Sequence, residues 1–489
     1  MKNYRWKRWL VRSVSAFIWL AFPLLGFSQS DSVRYTFTFY SSNAKSVSIA
    51  GSFNNWNPSG NFFLKINDST WTIQLTIKPD FYYYKLVVDG NWIPDPSHDW
   101  KINDGGNSYN SIVKIGNPEK SKRQSSPLPF PKEKLPKPTL SNNPEYVELY
   151  YAAWEMAWQK IQKGTAQNGF SESYMDEGFN ELIYQWDTCF MTAFGVYGRD
   201  VFPAMASLDN FYNKQRKDGY IQRVYWETNG TIANEPTPQE PMINPPLFAW
   251  LEWRYFQISG DPSRLSRVLP VLVRYHEWIE KNCSSVNNDG TFYATPLGSG
   301  MDNTPRENCD QAGYIDISAQ MALSAESISH IANELGDKNL TTQFQKKHRG
   351  ITETINQKMW NAEKQFYFDI TRNKKQSETK HIGAFWTMLS SVTDSSQILA
   401  LVRHLENKSE FNRPHRVPTL SADDPHYDPK GNYWLGSVWA PTNYMVIKGL
   451  EHSGFQKLAD EISVNHLTNM SEIYNHFKPD ENKLDFDER

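Results

Sequence analysis

Cysteine is scarce: Cys189, Cys283 and Cys309 are the 3 in 489 residues, too few for a disulfide framework, so burial must hold the fold. A surplus of positive charge is also missing. Lys and Arg number 51 against 54 Asp and Glu, a net charge of −3 that gives no electrostatic footprint for nucleic acid. The 11 histidines are scattered, with no HExxH and no paired-cysteine spacing, so no cofactor or metal ligand set is readable. A structural calcium held by loop carbonyls would leave no such trace. Long apolar runs are absent except near the start, where Val14 to Phe27 is short for a membrane span and contains Pro23, which argues against a stable anchor.

That apolar stretch follows Lys2, Arg5, Lys7 and Arg8 and ends at Gly26-Phe27-Ser28, the layout of a secretory signal peptide over residues 1–28. The expectation is an exported protein, periplasmic or extracellular, whose mature chain begins near Gln29. What the chain does have is aromatic residues, 14% of the total with 18 Trp and 25 Tyr. Ring faces stack on the apolar faces of sugars, and they also fill helical cores.

Residues 31–116 read as all-β. "RYTFTFY", "SVSIAGSF", "WTIQLTI", "FYYYKLVVDG" and "NSIVKIG" alternate or cluster β-branched and aromatic residues between turn signals, the pattern of a small sandwich. Residues 117–143 are rich in proline and read as a semi-stiff exposed linker. From Pro144 to Arg489 the texture is helical. Eleven helix-length segments are expected, among them 144–163, 184–198, 200–215, 239–259, 261–281, 310–336, 380–391, 434–453 and 455–472. Asn143 and Asp261, each before a proline, are expected caps. Helix pairs joined by short returns and long loops suit a double ring of helices, with the long loops gathered at one end.

The stretches "IAGSFNNWNP", "YYYKLVVDGNWIPDPSHD" and "GNSYNSIVKI" resemble glycogen-binding modules of the family 48 carbohydrate-binding type, as in the β subunit of AMP-activated kinase. That likeness implies an immunoglobulin-like sandwich in which Trp56 and Trp92 stack on glucose rings while Lys85 and Asn110 bond hydroxyls.

Four helical-region segments, "IYQWDTCFM", "INPPLFAW", "GSGMDNTPR" and "GNYWLGSVWAPTNYMVIKGL", resemble the (α/α)6-barrel glycoside hydrolases of family 63, the trehalases and the mannosylglycerate-hydrolase-like enzymes. The resemblance implies an inverting hydrolase of α-glycosidic bonds, with α-glucosides the expected substrates; a monomer is expected. Asp302 would be the general acid, since a glycosidic oxygen leaves poorly unless protonated. Glu472, in "SEIYNHFKPDEN", would be the base. Trp186 and Asp187 would bind the non-reducing sugar, Trp434 and Trp439 would wall the pocket, and Asn303 would orient Asp302. Arg306 would contact substrate hydroxyls or the second carboxylate, because an arginine against Asp302 would lower its pKa. The chain departs from the relatives at Leu435, where many carry arginine, and in its helix count, one short of twelve. The competing reading is a non-catalytic glycan-binding protein on the same scaffold.

Overall fold

The computed structural model describes residues 32–54, 56–78, 80–98, 101–103, 108–115, 129–178, 180–232, 235–237 and 239–477. The expected signal peptide, much of the linker and any helix beyond Phe477 lie outside them. The chain divides into two compact units, with the boundary between Ser121 and Lys122.

Among the described residues the first unit has eight strands: β1 Val33–Tyr40, β2 Val47–Gly51, β3 Leu64–Lys65, β4 Thr70–Ile77, β5 Asp80–Val88, β6 Asn91–Ile93, β7 Lys101–Asn103 and β8 Tyr109–Ile115. One sheet runs β1-β4-β3 and the other β2-β5-β8-β7, with β6 also paired to β5. Alternation decides what each strand buries. Phe37, Phe39 and Trp71 from the first sheet meet Ile49, Tyr84, Leu86 and Val113 from the second in one shared core. The five strands expected from sequence are all present; β3, β6 and β7 were too short to carry a pattern.

The second unit is helical: α1 Pro144–Gln159, α2 Gln185–Gly195, α3 Ala204–Tyr212, α4 Phe248–Ser259, α5 Leu265–Asn282, α6 Pro296–Ser299, α7 Ile315–Glu334, α8 Lys338–Lys358, α9 Trp386–Leu389, α10 Ser395–Glu406, α11 Ala440–His452 and α12 Gln456–Phe477. Helix α4 packs on α2 and α7, α9 on α7 and α11, and α12 on α11 and α1. Through Trp154, α1 in turn meets Phe194 of α2. These contacts trace a circuit with α3, α5 and α8 as companions of α2, α4 and α7. Helix α7 is buried all round from Ile315 to Ala325 and is rich in Ala, Ser and Ile, so neighbours approach that half from all sides, whereas Glu326, His330, Asn333 and Glu334 leave one stripe of its second half open.

Several expected boundaries move, each for a local reason. Residues 239–247 are not helical: Pro245 and Pro246 delay α4 to Phe248. The expected helix over 380–391 reduces to a 3-10 turn at Ile382–Phe385 and the single turn of α9. Asp261 does not cap α5; its Oδ1 accepts from Ser263 N at 2.9 Å in a turn before the helix, whose N-cap is Arg264. Asn143 does sit at the N-cap of α1 with Pro144 following, but its side chain makes no capping bond. The end of the linker is not exposed chain, because Leu135 is buried with Trp154, Ile161 and Phe202, and Phe130 packs against them.

Candidate active site

The loops entering α4, α7 and α11 converge with the first turn of α2. The strand Leu182–Tyr184 pairs with Val224–Trp226 and delivers Gln185 to the start of α2, which puts Asp187 in that helix's first turn. Asp187 and Asp302 are both partly buried. The loop carrying Asp302 begins at α6, a single turn that its sequence did not announce, capped by Thr295 Oγ1 accepting from Gly298 N at 3.0 Å. Gly300 ends that turn at φ +76°, and a Cβ there would lie 3.0 Å from the Trp186 ring. Glycine therefore lets Trp186 lie flat on the backbone two residues before Asp302.

Asn244, in the "INPP" segment, donates toward the Leu297 and Gly298 carbonyls at 3.4 and 3.3 Å. Arg223 Nη1 donates to the Leu297 carbonyl at 3.0 Å. On the other side Tyr433 donates its hydroxyl to Asp302 Oδ2 at 2.7 Å. Asn303 does not orient Asp302 directly. Its Oδ1 accepts from Trp434 N at 2.7 Å and its Nδ2 donates to the Asn432 carbonyl at 3.1 Å, so it fixes the segment that presents Tyr433. That segment is strained: Asn432 and Tyr433 have φ of +35° and +66°. Each such residue costs about 1–3 kcal/mol, held in place by the surrounding bonds. Trp434 and Trp439 stack with centroids 4.9 Å apart and planes 6° apart, and Trp439 Nε1 donates to the Tyr433 carbonyl.

The electrostatics follow from this enclosure. Burial pushes the Asp302 carboxyl up to about 6, while the Tyr433 hydrogen bond and the Arg223 charge pull it partway back. Burial raises Asp187 to about 7, against a lowering bond from its own backbone, with the Asp302 charge adding to the rise. Glu177, from "MDEG" before the Leu182 strand, is a further acid held well above the usual carboxylate range by burial and by Asp176 and Asp187. Both its carboxyl oxygens are buried. A carboxylic acid with its pKa near 6, walled by indole rings and beside a second carboxyl, can deliver a proton to a leaving oxygen.

Trp186, Asp187, Asp302, Asn303, Trp434 and Trp439 are thus brought together. Arg306 is not part of the site surface. Its guanidinium is buried, with Nη1 to Asp369 Oδ2 at 2.8 Å and Nη2 to Asp316 Oδ2 at 2.7 Å, and it lies 4.0 Å over the Tyr314 ring. Asp369 also accepts from Ile315 N at 2.8 Å and bonds His381 Nε2 at 3.2 Å. The expected contact with substrate is corrected: an arginine already divided between two buried carboxylates anchors the end of the Asp302 loop. Glu472 is not brought against Asp302 either. The "SEIYN" segment continues α12 as helix, and the Glu472 side chain is exposed.

Sequence reasoning missed Tyr433, Arg223, Asn244, Asp176 and Glu177. Tyr433 stood beside Trp434 in a segment already singled out, and Arg223 in the aromatic stretch "YIQRVYW". Nothing in the spacing of Asp176 and Glu177 pointed to Asp187.

In the first unit, Asn54 locks the loop that aims Trp56. Its Nδ2 donates to the Ile49 and Asn57 carbonyls, each at 3.1 Å, and its Oδ1 accepts from Gly51 N at 2.9 Å. The Trp56 ring lies 6.4 Å from that of Trp92, tilted by 33°. Lys85 is buried and Asn110 is partly buried.

Comparison with known proteins matches residues 182–485 to the mannosylglycerate hydrolase MGH1-like glycoside hydrolase domain. The chain belongs to that family. Residues 33–120 match the glycogen recognition site of AMP-activated protein kinase. The chain is similar to an uncharacterised protein of Borreliella burgdorferi, 30% identical over 66% of this chain and 67% of that one. It is also similar to a mannosylglycerate hydrolase of Rubrobacter radiotolerans, 25% identical over 60% of this chain and 85% of that protein. The fold is shared with the family 63 mannosylglycerate hydrolase of Thermus thermophilus crystallised with glucose, at TM-score 0.52 and 16% identity, covering 61% of this chain and 88% of that one. The chain thus carries an MGH1-like glycoside hydrolase domain and, before it, a segment of the glycogen-recognition type.

Proposed function

We propose that the protein is an exported, inverting hydrolase of α-linked glycosides, with α-glucosides as its preferred substrates. The observation that carries the reading is the Asp302 carboxyl, raised to about 6 by burial, held by Tyr433 and adjacent to Asp187. In this scheme Asp302 protonates the glycosidic oxygen while Asp187 and Trp186 grip the terminal sugar. The relatives' names divide between mannosylglycerate hydrolase and mannosyl-oligosaccharide glucosidase, so those names alone do not choose the sugar. The glycogen-type module favours glucose.

Inversion needs a second carboxylate across a water, at a separation of about 6.5–9.5 Å. We assign this role to Glu472, which requires the end of α12 to unwind toward the mouth. Glu472 follows Ser471, the last buried residue of α12 among the described residues, so the movement asked for is confined to the final turns of that helix.

The test is sugar release from maltose-series oligosaccharides, other α-linked glucosides and mannosylglycerate, with the anomer followed by NMR. Early accumulation of β-glucose supports the reading. Absence of release from every substrate favours the glycan-binding alternative, which the exposed position of Glu472 already suits. Glu472→Gln should lower hydrolysis by about two orders of magnitude or more; unchanged turnover removes Glu472 from the scheme.

A further inference from the structure

Strand β5 sorts its residues by parity. Tyr84 and Leu86 are fully buried in the sandwich core and Val88 packs against it, so Tyr83, Lys85 and Val87 belong to the opposite face. The registers then arrange that face in rows. Val87 pairs with Trp92. Lys85 pairs with Ala50, and Asn110 stands level with Lys85, because its neighbour Ser111 pairs with Tyr84. Tyr83 pairs with Ile112, and its N–H donates to Ser52 Oγ at 3.1 Å. The polar pair of Lys85 and Asn110 is therefore flanked on one side by the Trp56–Trp92 rings and on the other by Tyr83. Tyr83 is 41% exposed, close to the 42% of Trp92. Four residues of strand separate the Tyr83 row from the Val87–Trp92 row, about 13 Å at the usual rise.

We propose that Tyr83 is a further α-glucan subsite: its ring stacks on a glucose residue beyond the one held by Lys85 and Asn110, lengthening the chain that the module grips. This rests on the reading of the sandwich as a glucan-binding module. An aromatic face is the group that recognises the apolar side of a pyranose, and it continues a face on which the two tryptophans already present theirs. A sugar chain too short to reach from the tryptophan rows to Tyr83 gains nothing from it.

Titration calorimetry on the full chain in an Asp302→Asn background, so that ligand is not consumed, separates the possibilities. The ligands are maltotriose and maltoheptaose, and the variants are Tyr83→Ala, Tyr83→Phe and Trp92→Ala. Heat that survives Trp92→Ala belongs to the hydrolase unit and is subtracted. The expected result is that Tyr83→Ala leaves maltotriose affinity within about twofold and weakens maltoheptaose by about three- to tenfold, with Tyr83→Phe close to the parent. Retained maltotriose binding also reports that the variant sandwich is folded. If Trp92→Ala abolishes module binding while Tyr83→Ala binds maltoheptaose like the parent, the Tyr83 subsite is wrong and the module reading stands. If Trp92→Ala changes neither ligand, the module reading fails and the Tyr83 subsite fails with it.

Discussion

Tyr433 and Arg306 show how differently two polar residues can serve one carboxylic acid. The Tyr433 hydroxyl bonds Asp302 directly and favours its charged form. Removing it in Tyr433→Phe must raise the Asp302 pKa further. A general acid is active while protonated, so the alkaline limb of kcat/KM should move to higher pH, by about one pH unit; a limb that stays put or moves down contradicts the assignment. Arg306 acts through burial instead. Arg306→Ala leaves Asp316 and Asp369 without their shared cation, and should cost about 3–5 kcal/mol in denaturant unfolding. An unfolding midpoint within error of the parent would mean that the buried network carries little of the stability.

At the scale of elements, the site depends on loops that enter helices at one end of the circuit. The loop from α6 to α7 is held on Trp186 by Gly300 and by Asn244 and Arg223 through its carbonyls. Gly300→Ala adds a Cβ 3.0 Å from an indole at a φ of +76°, so it should cost about 1–3 kcal/mol and lower kcat more than KM. Steady-state kinetics with thermal unfolding measure both; a variant with parental kcat would show that Trp186 yields freely. These same loops mark where the sequence was legible and where it was not. The four segments singled out Asp302, Asp187, Trp186, Trp434 and Trp439, which the fold brings to one place. Arg306 was misjudged because its partners Asp316 and Asp369 are 10 and 63 residues away, and a tertiary pairing of that kind has no local pattern. Helix boundaries slipped wherever proline or a 3-10 turn interrupted an apolar period, as before α4 and at α9.

For the whole molecule, the raised acids make stability depend on pH. The folded state holds protons on Asp302 and Asp187 up to about 6 and 7, whereas an unfolded aspartate releases its proton near 4. The native state thus binds more protons between these values, and stability falls as pH rises from about 4 to 7. Asp187→Asn should therefore unfold at higher temperature than the parent at pH 8 and lose that advantage by pH 4; a gain of equal size at both pH values would point to packing instead. The division into a β-rich unit and a helical unit was legible from composition and periodicity, since strand and helix periods differ over long windows. The position of Glu472 was not, because whether "SEIYN" is loop or helix depends on what packs on α12.

The central claim, that Asp302 supplies the proton to the leaving group, is tested most directly by comparing substrates with the Asp302→Asn variant. Glycosides with poor leaving groups need that proton, whereas glucosyl fluoride departs without it. The account predicts that hydrolysis of an α-glucoside falls by about 10³-fold or more while α-glucosyl fluoride is still cleaved within about tenfold of the parent rate. Equal losses on both substrates would contradict it.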